Sequence, residues 1–120
     1  MNMLEFDTSA IKQWHIYLVD MNPPRKSKPG KIRPAVVVQD IAGLKSPGAT
    51  IAPMTTDLQG KNCLHIRIHT RPGLSLFRIS DVMVEELQTG DRSFFLKDLG
   101  VLTASEISDI QVALRSHLGL

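Results

Sequence analysis

The chain has 120 residues, 42% hydrophobic, 22% charged and 5% aromatic, which suits one domain over residues 1–120 with a core that needs no metal or disulfide staple. Its single cysteine, Cys63, excludes an internal disulfide framework and any multi-cysteine zinc site. The net charge of +2 conceals a division: residues 1–20 hold one lysine against three acids, residues 21–78 ten Lys/Arg against two acids, and residues 79–120 three against seven. A basic middle beside an acidic end suits a surface for polyanions. No apolar run approaches the roughly 20 residues that span a bilayer, and the start Met-Asn-Met-Leu-Glu-Phe-Asp is too acidic for a signal peptide. A reducing, cytoplasmic setting is therefore expected.

Residues 1–10 lack a period and read as a loose arm. Ile11–Asp20 reads as a strand, with Trp14, Ile16 and Leu18 on one side and His15, Tyr17 and Val19 on the other. Asn22-Pro23-Pro24 stops it, because proline gives no ladder hydrogen bond. The loop to Gly30 holds Arg25, Lys26 and Lys28, with Lys31 and Arg33 just beyond and no acid among them. Ile32–Gln39 reads as a second strand, and Ala35-Val36-Val37-Val38, apolar without alternation, predicts cover on both faces. Ala49–Met54 reads as a third strand, ending at Thr55-Thr56-Asp57. Asn62–His69 alternates, so Leu64, Ile66 and Ile68 are expected inside and His65, Arg67 and His69 on a solvated outer face. Two short strands are expected near Leu74–Arg78 and Asp81–Leu87. Ser93–Leu99 reads as a short helix closed by Gly100. Thr103-Ala104-Ser105-Glu106 has capping-box spacing and opens a final helix with the stripe Ile107, Ile110, Leu114 and Leu118, stopped at Gly119. Many short strands followed by a helix point to a mainly β, α+β chain: a small barrel with a terminal helix.

His65 and His69 have the spacing of a helical metal pair, but on a strand they lie about 13 Å apart, too far to share an ion. No metal site is expected. Cys63, beside an apolar strand, reads as core. No nucleotide-binding glycine loop is present, and the few aromatics supply base stacking poorly. The chemistry then falls to the basic loop Arg25–Arg33 and to Thr55. Pro34 biases Arg33 to an extended conformation at a strand start, where its fork can meet a phosphate. Thr55 ends a strand and offers a hydroxyl. Composition alone does not pair them. The outer face of His65, Arg67 and His69 is a second candidate surface for a phosphate chain.

The run Trp14-His15-Ile16-Tyr17-Leu18-Val19-Asp20-Met21-Asn22-Pro23 resembles the opening strand of the MazF/PemK-type toxins. Lys31-Ile32-Arg33-Pro34-Ala35-Val36-Val37-Val38 resembles that family's Arg-Pro motif and second strand. The resemblance continues through Ala52-Pro53-Met54-Thr55-Thr56, through Ser80–Asp91, and to the closing helix, covering nearly everything after residue 12. It implies a CcdB/PemK-like fold, that is, an SH3-like barrel with short helices and a C-terminal helix, working as a homodimer. It implies the toxin of a toxin–antitoxin pair, blocked by an acidic, partly disordered antitoxin. The implied activity is metal- and cofactor-independent cleavage of single-stranded RNA at specific sequences. The family's catalytic arginine and threonine match Arg33 and Thr55. Arg25, Lys26, Lys28 and Lys31 would then hold backbone phosphates.

The chain also departs from the family pattern. Where the family's first loop commonly reads Gly-Ser-Glu-Gln-x-Gly, this one reads Lys26-Ser27-Lys28-Pro29-Gly30-Lys31, so Lys28 replaces the glutamate. The later pattern stands as Glu85-Glu86-Leu87-Gln88-Thr89-Gly90-Asp91 and lacks its arginine. Met83 and Phe94 occupy places where basic residues occur. Glu85 is the remaining candidate for a proton acceptor, with a structural ion pair as its competing role. Two other functions are open. One is a CcdB-like gyrase poison, disfavoured because the only tryptophan is Trp14 rather than one at the C terminus. The other is an RNA-binding domain that has lost catalysis.

Overall fold

The computed structural model describes residues 10–21, 31–40, 47–58, 60 and 62–120. They form β1 (His15–Asp20), β2 (Ile32–Val37), β3 (Gly48–Thr55), β4 (His65–Ile68), β5 (Ser80–Met83), β6 (Gln88–Asp91), β7 (Phe95–Val101) and α1 (Ala104–Leu118). All recorded pairings are antiparallel, and the path runs β4-β5-β3-β2-β1-β7. The sheet is open, with β4 and β7 at its ends. β5 and β6 lie end to end along one edge of β3, pairing with Met54–Thr55 and Gly48–Ile51 respectively. A 3₁₀ turn, Val84–Glu86, joins them. This mostly β, α+β architecture with a closing helix is the one the sequence predicts. No described helix is long and apolar enough to cross a membrane.

The sheet buries both faces. Ile16, Val36, Ala52, Met54, Ile68 and Val82 pack with Ile110 and Ala113 of α1 in one cluster. Tyr17, Val19, Ala35, Val37, Ala49, Ile51 and Phe95 form a second cluster. Successive residues of β2 thus enter different cores, which is why Ala35–Val37 is apolar without alternation. Thr103 and Glu106 complete the capping box of α1, and Gly119 closes the helix in the left-handed conformation. Ile107 and Leu114 pack against the first cluster, whereas Leu118 is exposed.

Three expectations are corrected. Residues 74–78 form turns and coil rather than a strand, with Leu74 and Leu76 buried and Phe77 wholly exposed. The expected helix Ser93–Leu99 is a 3₁₀ turn, Arg92–Phe94, followed by β7. Phe95 and Leu99 bury themselves as strand residues in opposite clusters. Gly100 lies within β7 at φ +131° beside a register shift, so it marks a bulge rather than a helix end. Finally, Cys63 is exposed rather than core. Asn62 turns the chain through its Oδ1 and carbonyl, which accept from Leu64 N and His65 N, so β4 begins only after it.

Candidate functional site

Strand register assembles the site. Ala35 pairs with Pro53. Pairing of the two strands ends there, and Arg33 of β2 and Thr55 of β3 each lie two residues beyond it. Thr55 is the ladder partner of Asp81 on β5, and Asp81 that of Arg67 on β4. Directly paired residues share a face, so Thr55, Asp81 and Arg67 form a row across three strands, and Arg33 lies on the same face of β2, two residues from Ala35. The alternate residues Met54, Val82 and Ile66 point the other way, into the cluster beneath α1.

Arg33 is half-buried. It lines a cleft of about 380 Å³ with Lys31, Met83, Glu86 and Gln88. Two cations on one wall give an anion a place to dock. Thr55 is also half-buried, and its Oγ1 accepts a hydrogen bond from Asp57 N at 3.0 Å. That bond fixes the turn leaving β3 and orients the hydroxyl.

Asp81 is 2% exposed. Arg67 Nε donates to its Oδ1 at 2.9 Å and Nη2 to its Oδ2 at 3.2 Å. The bidentate pairing answers the burial of this carboxylate. The hydrogen bond to Asp81 also raises the Arg67 guanidinium above its ordinary value. Arg67, Asp81, His65, Cys63 and Asn62 line a second cleft, of about 640 Å³.

His65 lies on the same face as Arg67, one row away, opposite Met83. Contrary to the solvated position expected for it, its side chain is only 6% exposed. The reason is a partner twenty positions away: Nε2 lies 2.7 Å from Glu85 Oε2. Its other nitrogen, Nδ1, is 3.8 Å from Asp81 Oδ2, beyond hydrogen-bond reach. Both His65 Nδ1 and Glu85 Oε1 are buried without a hydrogen-bond partner. Each such atom costs about 1–3 kcal/mol of desolvation.

The structure thus brings Arg33, Lys31, Thr55, Glu85, His65 and Arg67 to one side of the sheet. His69 is exposed just past the end of β4. Arg25, Lys26 and Lys28 lie outside the described residues. Sequence reasoning missed Asp81, whose signal was an isolated acid inside an apolar strand, and missed Glu86 as a wall of the Arg33 cleft.

Comparison with known proteins matches residues 12–118 to the family of PemK-like, MazF-like toxins of type II toxin–antitoxin systems. The endoribonuclease MazF of Staphylococcus epidermidis is 30% identical over 112 residues, covering 92% of each chain. The Mycobacterium tuberculosis toxin MazF-mt6 superposes with a TM-score of 0.72 at 20% identity, covering 88% of this chain and 97% of that one. A mycobacterial endoribonuclease solved with its cognate antitoxin gives 0.72 at 19% identity, covering 92% and 97%. The structural similarities speak to the fold; with a family match spanning residues 12–118, the chain belongs to the PemK-like, MazF-like toxins of type II toxin–antitoxin systems.

Proposed function

We propose that this chain is an endoribonuclease toxin that cuts single-stranded RNA at specific sequences and thereby stops translation and growth. The observation that carries this reading is the cleft lined by Arg33 and Lys31, with Thr55 on the same face of the neighbouring strand. RNA brings its own nucleophile, the 2′-hydroxyl. The protein must hold that oxygen in line with the phosphorus and stabilise charge on the phosphate oxygens. Arg33 stabilises that charge, and an arginine is too weak an acid to serve readily as proton donor. Thr55 donates its hydroxyl to a non-bridging oxygen. Glu85 accepts the 2′-hydroxyl proton. Lys31 holds a flanking phosphate, with Arg25, Lys26 and Lys28 as further phosphate ligands from the loop and Arg67 and His69 along the β4 face. The products are a 2′,3′-cyclic phosphate and a 5′-hydroxyl, and no cofactor takes part.

The working form is a homodimer in the cytoplasm. An acidic antitoxin, folding over the basic surface, would mask it.

The test is single-stranded RNA incubated with pure protein in EDTA, followed by end-group analysis. Cleavage to cyclic-phosphate ends is expected. Arg33→Ala should lower the rate by roughly 10²–10³, the usual cost of losing one transition-state donor. Thr55→Val should lower it in the same direction. Intact RNA would overturn the reading; binding without cleavage would mark a domain that has lost catalysis, and relaxed supercoils from a gyrase assay would mark a gyrase poison.

A further inference from the structure

We propose that His65 is the positioning residue of this site: it holds the Glu85 carboxylate in place to receive the 2′-hydroxyl proton. The inference rests on the ribonuclease reading above and adds to it a residue and a role.

Glu85 sits on the 3₁₀ turn between β5 and β6. This turn borders the cleft that holds Arg33 through Glu86, and its Glu85 meets His65, which borders the cleft that holds Arg67 and Asp81. A glutamate on a short turn has three free side-chain torsions, and a proton acceptor must be held to a fraction of an ångström. The 2.7 Å contact from His65 Nε2 to Oε2 supplies that hold. The imidazole is itself fixed, because its side chain is 6% exposed and its strand is paired on both sides of it, at Ile66 to Val82 and through Val84 N to the Leu64 carbonyl. The Glu85 side chain is 29% exposed although its Oε1 is buried, so the carboxylate is anchored just beneath the surface.

A purely structural ion pair does not account for the arrangement. Only one atom of each partner is hydrogen-bonded, and Oε1 and Nδ1 have no hydrogen-bond partner. Buried atoms of this kind are rare, and they gather where a site waits for another group. The carboxylate therefore keeps one oxygen uncommitted. Nδ1, 3.8 Å from Asp81 Oδ2, faces the ladder partner of Thr55, which links the positioning of Glu85 to the row that presents Thr55.

In the resulting step the 2′-oxygen forms its bond to phosphorus as its proton passes to Glu85. The bond from phosphorus to the 5′-oxygen breaks, and that oxygen takes a proton from solvent water. The proton on Glu85 then neutralises the hydroxide left behind.

The experiment compares two amides at position 65 in the full chain. Glutamine carries its NH₂ where Nε2 lies and can donate to Oε2; asparagine carries it where Nδ1 lies and cannot. His65→Asn should lower kcat on the order of 10²-fold, the cost of misplacing a reacting group by about 1 Å, with KM within about threefold of the wild type. His65→Gln should recover most of that loss. In a Glu85→Gln background His65→Asn should cost nothing further, because both act through one carboxylate. Equal losses in the two amides, a loss carried by KM, or an additive loss in the double variant would each overturn the proposal while wild-type cleavage stands. Should His65→Asn fail to fold, a loss beyond about tenfold in folded His65→Gln would overturn it instead. RNA left intact by the wild type would overturn the ribonuclease reading itself.

Discussion

Asp81 stands directly opposite Thr55 in the β3–β5 ladder, and its buried carboxylate is clamped from the next strand by Arg67. The clamp is asymmetric: Asp81 has a side chain 3% exposed, Arg67 one 41% exposed. Removing the arginine leaves a buried carboxylate beside His65. Removing the carboxylate leaves a cation that water can solvate. Arg67→Ala should therefore lower the urea midpoint of the fold. Asp81→Asn added to it should recover part of that loss. Urea denaturation of the two singles and the double gives the cycle; additive losses would mean the pair does not act as a unit.

Lys31 tests the electrostatics of the Arg33 cleft. Each phosphate contact to a single strand contributes about 0.7 to the slope of log K against log salt. Lys31→Ala should flatten the slope by about that amount in RNA-binding titrations. Lys97 is the control. It pairs with Leu18, which packs into the cluster beneath α1, so Lys97 lies on the other face of the sheet. Lys97→Ala should leave the slope unchanged, and equal effects from the two would place RNA elsewhere.

The capping box at Thr103 and the two-sided burial of Ala35–Val37 were legible because each is a local matter, decided within a few residues. Arg33 and Thr55 stood in the sequence as separate candidates, and only the family resemblance paired them. Composition did not pair them, because their shared face depends on the pairing of two strands distant in sequence. His65 was misread because alternation tells which face a residue takes, not what covers it. Its partner is Glu85, on a turn twenty positions away in sequence. Asp81 was invisible for the same reason: Arg67, fourteen positions earlier, makes a buried acid tolerable. Ser93–Leu99 was mistaken for helix because two register shifts, between Phe95 and Lys97 and between Asp98 and Gly100, break strict alternation in β7, and Gly100 looks like a helix stop.

Gly100 is required by both conformation and space. At φ +131° it adopts a backbone shape that L side chains rarely take, and a Cβ there would lie 2.9 Å from Leu74 Cδ1 and 3.0 Å from the Gly73 carbonyl oxygen. Leu74 can yield somewhat, but the backbone oxygen cannot move without breaking the adjoining Leu99 O to Ser75 N bond of 2.8 Å. Gly100→Ala should cost about 2–3 kcal/mol. Gly73→Ala, with open space around its Cβ though also at positive φ, should cost about 1 kcal/mol. Thermal melts that rank the two the other way would show that the crowding at Gly100 relaxes freely.

Glu106 ties α1 to the turn that follows β4. Its carboxylate accepts from Arg71 Nη1 and Nη2 at 2.8 and 2.9 Å, and from Thr103 N at 2.8 Å. Burial pushes this carboxyl upward, but the hydrogen bonds from Arg71 and Thr103 outweigh it and hold the group below its ordinary value. A carboxyl depressed in the folded state adds stability that is fully present above its unfolded value of about 4.3 and is lost as pH falls through the folded one. Glu106→Gln should thus cost about 1–2 kcal/mol at pH 7, where the charge-assisted bonds are intact. The difference from wild type should shrink once the pH drops below about 4, because the wild-type carboxyl is then itself becoming neutral. Urea denaturation at pH 7 and pH 3 measures both values. A difference that stays constant between them would mean that Glu106 stabilises α1 through shape and neutral hydrogen bonding, with no contribution from its charge.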